Sequence, residues 1–451
     1  MKIVIIGDGK VGRAIVEHTV QEGHTVIVID KNPKVIEQIV DLYDVMGVAG
    51  NGANIDIQKN AGVDKADLVI AATSSDETNI LCCLVAKKLG AKQTVARVRD
   101  YDYNKQIHIL QEDLGLALTL NPELESANEI MKIINFPQVN RLDNFANGNV
   151  DLVELYVPEG SKLIGESLLS IHKKYDVKSL VCAVQRDNEV IIPKGNFTLQ
   201  AKDKIHMTTG SNEIRSFLTK VGMNSSKTKN ILIIGGGKIA LYLGEKLVAN
   251  KYKVKIIESD QDRCFELSQL LPEATIIHGD GTDQRILEEE GIKTTDVIVS
   301  LTGIDEENII IAMYANKMNV HKIITKVNKT SFADLLQTVD VASVISPKEL
   351  TASKIVSYIR ALNNSRGNKV KTLYKLVNNK VEALEFQATA NSKVLNKKLR
   401  DLKLKDNVLI GAIVRNNEVI IPGGEDMILL NDSVVVVTTN TYLDDLSEIL
   451  A

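Results

Sequence analysis

The sequence predicts an α/β chain of two tandem doubly wound domains, each followed by a small α+β domain, and three observations carry that expectation. At 451 residues the chain is too long for one compact domain and suits about three or four. It is also written twice. Ile3-Val-Ile-Ile-Gly-Asp-Gly-Lys10 matches Ile231-Leu-Ile-Ile-Gly-Gly-Gly-Lys238, and Arg186-Asp-Asn-Glu-Val-Ile-Ile-Pro193 matches Arg415-Asn-Asn-Glu-Val-Ile-Ile-Pro422. So long a period makes each copy a folding unit of its own rather than a stacked blade. Finally, short apolar runs rich in β-branched residues alternate with stretches of helical period.

In the first copy the expected strands are Ile3–Ile6, Thr25–Ile29, Val45–Val48, Leu68–Ala72, Thr94–Val98 and Leu116–Leu120. Their hydrophobicity is continuous, which suits strands covered on both faces of a parallel sheet. Helical periods lie between them, at Val11, Ala14, Ile15 and Thr19, and again at Ile80, Leu81, Leu84, Val85 and Leu89. This is the pattern of a Rossmann-like domain, and residues 231–345 repeat it. Asn121-Pro122-Glu123 and Ser346-Pro347-Lys348-Glu349 each offer a capping side chain and Pro at the first helical position, and the second adds Glu at the capping-box position. Connecting helices are expected there. Leu124, Ile130, Ile133 and Ile134 form a stripe that faces either the parent core or something outside it.

Residues 151–210 and 370–440 read as strands, a short helix and a hairpin around Asp187-Asn188 or Asn416-Asn417, with Pro193 and Pro422 ending the returning strands. The expected divisions are therefore Rossmann-like domains at 1–120 and 229–345, connecting helices with linkers at 121–150 and 346–369, and small α+β domains at 151–221 and 370–451. The polar stretch from Gly222 to Lys229 separates the copies.

Composition narrows the function. Lys+Arg 54 against Asp+Glu 58 gives a net charge of -4, so no positive field is available to hold nucleic acid, and aromatics at 4% with no Trp leave no stacking platform for single strands. No apolar run approaches the roughly 20 residues of a membrane span, and the stretch between Met1-Lys2 and Gly7 is too short for a signal peptide. A cytoplasmic protein without membrane insertion is expected. Cys82, Cys83, Cys182 and Cys264 fit neither a disulfide framework nor a metal site, and the adjacent Cys82 and Cys83, in an apolar helical stretch, read as core residues.

Gly7-Asp8-Gly9-Lys10-Val11-Gly12 is G-x-G-x-x-G between the first strand and the first helix, with Asp30 ending the second strand. The glycines allow a tight turn, close approach of a pyrophosphate, and helix packing, the helix N-terminus attracts the anion, and Asp30 is placed for the adenosine ribose. Because a carboxylate there repels a 2′-phosphate, NAD(H) is favoured over NADP(H). The second copy reads Gly235-Gly236-Gly237-Lys238-Ile239-Ala240, with Glu258 as the acid. Arg13, Arg97 and Arg99 correspond to Leu241, Lys326 and Asn328, and Asn51 to Asp280, so the two sites should differ in ligand preference. Arg97 and Arg99 lie on one face at the end of the fifth strand, and Thr73 and Ser74 lie on the same carboxyl edge, where such sheets bind ligands. No Walker motif is present. The seven histidines include no pair at matched positions, so no catalytic residue is expected and a ligand sensor fits better than an enzyme. An NAD-dependent oxidoreductase is the alternative.

Gly50-Asn-Gly, Gly279-Asp-Gly-Thr, Ala96-Arg-Val-Arg99 and the doubled Asn-Glu-Val-Ile-Ile-Pro, set in this tandem arrangement, resemble the TrkA-type regulator-of-potassium-conductance (RCK) family over essentially the whole chain. The resemblance implies NAD(H) binding, with ATP or ADP at one of the two sites. It also implies a homo-oligomeric ring, peripheral on the cytoplasmic face of a potassium-translocating, TrkH/TrkG-like integral membrane subunit. A potassium exporter or antiporter is the alternative partner. Carried over by position, Gly7 through Gly12, Asp30, Asn51, Thr73 and Arg97 form the first site, and Gly235 through Ala240, Glu258, Asp280, Thr302 and Lys326 the second.

Overall fold

A computed structural model of the chain describes residues 1–451 except 137–138, 188, 211–212, 224–227, 330, 333–335, 337–341, 365–369, 377–379, 440–442 and 444. The apolar runs of the first copy become β1 (Lys2–Ile6), β2 (Thr25–Asp30), β3 (Met46–Ala49), β4 (Leu68–Ala71), β5 (Gln93–Arg97) and β6 (Leu118–Leu120). Interleaved with them are α1 (Lys10–Gln21), α2 (Pro33–Leu42), α3 (Ile55–Asn60), α4 (Asp76–Leu89), α5 (Tyr101–Leu110) and, after β6, α6 (Pro122–Asn135). The strands run parallel in the order β3-β2-β1-β4-β5-β6. That order reverses direction between β1 and β4, and the crevice at such a switch point is where doubly wound sheets take ligands. Ile3, Val4, Ile5, Leu68, Val69 and Ile70 are fully buried, because helices cover both faces.

The first small domain contains β7 (Val139–Phe145), β8 (Val150–Tyr156), α7 (Leu168–Tyr175), β9 (Ser179–Arg186), β10 (Glu189–Ile191), β11 (Lys204–Gly210) and α8 (Ile214–Lys220), its antiparallel sheet ordered β7-β8-β11-β9-β10. The expected linker at 121–150 is corrected by β7, whose polar sequence carries no apolar run and which pairs along one side only, at the sheet edge. Asn188 of the expected hairpin lies outside the described residues. Its neighbour Asp187, like Asn416 and Asn417, has the positive φ of a tight hairpin turn.

The second copy repeats both sheets. β12 (Asn230–Ile234), α9 (Lys238–Ala249), β13 (Lys253–Glu258), α10 (Gln261–Leu270), β14 (Thr275–His278), α11 (Gln284–Glu289), β15 (Val297–Ser300), α12 (Asp305–Lys317), β16 (Lys322–Lys326), β17 (Ser343–Ile345) and α13 (Pro347–Asn364) are followed by β18 (Val370–Leu376), β19 (Val381–Gln387), β20 (Val408–Arg415), β21 (Glu418–Ile420) and β22 (Ser433–Thr438). The sheet orders are β14-β13-β12-β15-β16-β17 and β18-β19-β22-β20-β21.

Two compact units result, and each pairs like with like. One comprises 1–131 with 228–356, the other 132–227 with 357–451. In the second unit one core cluster joins Phe145, Val150, Cys182 and Ala183 to Val381, Ala383, Ala412 and Val435. The seam is hydrogen-bonded as well, with Thr208 Oγ1 donating to Gly411 O at 2.6 Å and Ala146 N to Glu385 Oε2 at 3.0 Å. Each small domain also contains a buried carboxylate gripped by a guanidinium fork, Asp203 by Arg186 and Asp432 by Arg415, at 2.8–2.9 Å.

Candidate nucleotide site

The first glycine turn is forced by sterics. Gly7 has φ +98°, and a Cβ there would come 2.9 Å from Thr73 Cα, while a Cβ at Gly12 would come 1.9 Å from Gly7 O. Gly9 differs, since nothing lies within 4 Å of the Cβ it lacks. It is the N-cap of α1 and offers no capping side chain, and the first turn of α1 contains no acid. By contrast Asn32, Asn54, Ser75 and Asp100 cap α2, α3, α4 and α5. Gly237 leaves α9 equally bare. The amides at these two helix starts therefore lack a side-chain acceptor, and the space beside Gly9 and Gly237 is open, which fits an anion such as a pyrophosphate. Val11 and Ile239 are buried, anchor the helices in the core, and offer only backbone.

Asp30 and Glu258 end β2 and β13 and turn back on these loops. Asp30 accepts from Asp8 N and Asn32 N at 2.9 Å each, and Glu258 accepts from Gly236 N at 2.5 Å and Asp260 N at 2.8 Å. A carboxylate has about four acceptor sites, so each retains capacity for ribose hydroxyls while it staples the turn. Asn51 and Asp280 are exposed and form side-chain turns, accepting from Ala53 N at 3.0 Å and from Thr282 N at 2.8 Å. Next to them Gly52 and Gly281 are glycine because a Cβ would meet Ile6 Cγ2 or Ile234 Cγ2 at 2.2 Å.

At the carboxyl edge, Asn79 and Asn308, which occupy matched positions 229 residues apart in the two copies, organise the loops. Asn79 accepts from Thr73 N at 2.7 Å and donates to Thr73 O and Arg97 O, and Asn308 does the same with Thr302 N, Thr302 O and Lys326 O. Asp76 and Asp305 accept backbone N–H groups after β5 and β16, at Arg99 and Asp100 and at Asn328 and Lys329. Their occurrence as matched polar residues on an otherwise apolar helix pattern was the available signal. Arg97 is buried and donates to Thr73 O, Arg99 donates to Ser74 O at 3.2 Å, and Lys326 Nζ donates to Leu301 O at 3.2 Å. Each thus gives one N–H to a carbonyl of the loop after the neighbouring strand, β4 or β15, and Arg99 lies 3.6 Å from Glu123, while Arg97 Nε and Arg99 Nε are buried without a partner. Burial pulls Arg97 and Lys326 below their ordinary pKa values. Arg13 instead forks onto Asp8 Oδ2 at 2.6 and 3.1 Å, and burial raises the Asp8 carboxyl against the pull of that guanidinium. Lys10 and Lys238 have exposed positions, Lys238 Nζ lying 3.4 Å from Arg99 O.

Each of α1 and α9 is touched by the other copy. His18 of α1 is bonded to Glu349 of α13 at 2.9 Å, and Tyr101 of α5 donates to Glu245 of α9. Asn121, which caps α6 through Leu124 N at 2.9 Å, also donates to Tyr242 Oη at 3.0 Å, and Lys354 pairs with Glu125. These contacts reach outside the parent domain through Asn121 and Glu125 rather than through the α6 stripe, of which Ile130, Ile133 and Ile134 are buried. The capping box expected at Ser346 is corrected: Ser346 Oγ is buried without a partner, and Glu349 is drawn away to His18. Cys82, Cys83 and Cys182 are buried, and burial pushes Cys82 and Cys182 up to about 11, which leaves them as unreactive thiols. Among the described residues no cluster of three or more His, Cys, Asp or Glu could hold a metal ion, and no helix is long and apolar enough to cross a membrane.

The TrkA-N domain matches residues 3–122 and 231–347, and the TrkA-C domain matches residues 152–222 and 383–451. The chain belongs to the TrkA family. This TrkA-family chain is 30% identical over 449 residues to the Trk system potassium uptake protein TrkA homolog of Archaeoglobus fulgidus, covering 100% of both. It is 32% identical over 452 residues to TrkA of Vibrio alginolyticus, covering 99% of this chain and 97% of the other. Its fold is similar to that of the GsuK RCK domain, with a TM-score of 0.63 at 17% identity over 97% of this chain and 92% of that one. The GsuK channel bound to NAD matches with a TM-score of 0.63 at 16% identity, over 97% of this chain and 76% of that one. The tandem Rossmann-like and small antiparallel domains are therefore the RCK architecture of the TrkA family.

Proposed function

We propose that this TrkA-family chain is a cytosolic nucleotide-sensing regulatory subunit of a potassium uptake system, binding NAD(H) at its glycine turns and gating a potassium-translocating membrane subunit. The observation that carries the reading is the pair of uncapped helix N-termini, α1 and α9, each behind a glycine turn stapled by an acid that retains free acceptor sites. The potassium-uptake names of full-length relatives and the NAD-bound and ADP-bound states of GsuK support it. ATP or ADP at one of the two sites is part of the proposal, as are a homo-oligomeric ring and a TrkH/TrkG-like partner at the inner face of the membrane.

The mechanism is a coupling free energy. Each nucleotide helix is held by side chains of the other copy, so a ligand that prefers one arrangement of the two copies shifts their equilibrium, and about 1–3 kcal/mol of such coupling alters an equilibrium roughly 5–150-fold. No bond is made or broken. Calorimetric titration of the purified chain with NAD+, NADH, ATP and ADP tests the binding, and co-purification with the membrane subunit tests the partner. Absence of binding by all four nucleotides overturns the reading, as does steady oxidation of NADH with a carbonyl substrate.

A further inference from the structure

Aligning the copies on their glycine turns places Ala14 of α1 where the second copy has Tyr242 of α9. Tyr242 is 5% exposed, its ring centroid lies 5.5 Å from that of Tyr101, and its hydroxyl accepts from Asn121. At the corresponding place in the first copy Ala14 presents only a methyl. A crevice of about 930 Å³ opens there, between α1 and the second copy's β15–α12 loop, the end of β16 and the start of α13. Ser346 stands where the first copy has Asn121, and its buried Oγ has no hydrogen-bond partner. The tyrosine hydroxyl it would meet is the group that Ala14 lacks.

The crevice begins at the glycine turn, and its walls are balanced in charge, Lys10, Arg13, Lys329 and Lys348 against Asp8, Glu17, Asp305 and Glu306. Such walls offer no net attraction to a triphosphate tail. They do hold an acceptor in need of a donor. The Asp8 side chain is fully buried, Arg13 occupies its Oδ2, and its Oδ1 has no partner. A buried carboxylate oxygen left unpaired costs free energy that a hydroxyl or amide N–H would recover. The volume is that of a pocket for a drug-sized ligand, beyond what a phosphate alone needs.

We infer that the first site takes a pyridine dinucleotide lengthwise, its adenosine half at Asp30 and its distal ribose and carboxamide in the crevice between the two copies, whereas the tyrosine-filled second site takes only an adenosine mononucleotide. The inference rests on the nucleotide-sensing reading above. It makes the first site composite, so that the dinucleotide touches both copies and the mononucleotide touches one.

The test is calorimetry on the full chain with NADH and ADP. In the unaltered protein ADP should fill two sites per chain and NADH one. In Ala14→Tyr, NADH affinity should fall about tenfold or more while ADP affinity changes less than about threefold. Tyr242→Ala should gain a second NADH site. Two equivalent NADH sites in the unaltered protein, or equal NADH affinity in Ala14→Tyr, overturns the inference and leaves nucleotide sensing standing. Binding of neither ligand removes both. Should either variant fail to fold, the stoichiometry of the unaltered chain decides alone.

Discussion

Gly9 and Gly12 share one turn yet answer to different demands. A methyl at Gly12 would collide with Gly7 O, so Gly12→Ala should destabilise the fold by about 1–3 kcal/mol, seen as a lowered urea midpoint. A methyl at Gly9 meets nothing, so Gly9→Ala should stay within about 0.5 kcal/mol of the parent in stability while, under the proposed function, weakening NADH binding by narrowing the open space that a pyrophosphate would approach. Equal stability of the two variants would show that the turn is not closed as described. Buried polar residues follow another rule. Asn79→Ala strands Thr73 N and takes a donor from Thr73 O and Arg97 O, the former keeping only Arg97, and should cost about 2–3 kcal/mol in the same measurement. The glycines and Asp30 were legible in the sequence because strand, turn, helix and acid follow one another along the chain. The use of Arg97, Arg99 and Lys326 was not, because side-chain alternation says which edge a cation reaches and not whether a carbonyl already waits there.

For elements, the two connecting helices start from the same Pro-led pattern and are held differently. Asn121→Ala removes both the cap of α6 and the bond to Tyr242 and should cost about 1–2 kcal/mol, whereas Ser346→Ala removes a hydroxyl without a partner and should be neutral. Differential scanning calorimetry separates these outcomes, and a Ser346→Ala loss as large as that of Asn121→Ala would restore the expected capping box. Glu349 supplies a pH dependence. The hydrogen bond from His18 holds its carboxyl below the ordinary value, against the opposing effect of burial. A depressed folded-state pKa means its stabilisation is complete above the ordinary carboxylate range and is lost as pH falls through the lowered value. Glu349→Gln should therefore melt lower than the parent at neutral pH, with the gap closing on acidification. A gap independent of pH would mean that the contact contributes through shape rather than charge. The strand β7 escaped sequence reading for a related reason, since an edge strand is defined by its partner β8 and not by an apolar run of its own.

Across the whole molecule, the duplication is used to complete interfaces. The two Rossmann-like copies belong to one compact unit and the two small domains to another. A half-chain ending at residue 223 would expose Phe145, Val150 and Cys182, which the second copy covers with Val381, Ala412 and Val435. Light scattering should find that half-chain as a dimer or larger, because so much apolar surface is not left in water, and a stable monomer would contradict the shared core. What the sequence determined by itself was local or periodic: the doubled βαβ order, the glycine turns and the terminal acids, each written in consecutive residues whose backbone preferences and periods are intrinsic. Only the tertiary structure decided that like pairs with like, that Tyr242 fills a space which Ala14 leaves open, and that Glu349 answers to His18. Those outcomes depend on contacts between residues hundreds of positions apart, and chain order carries no distance for them.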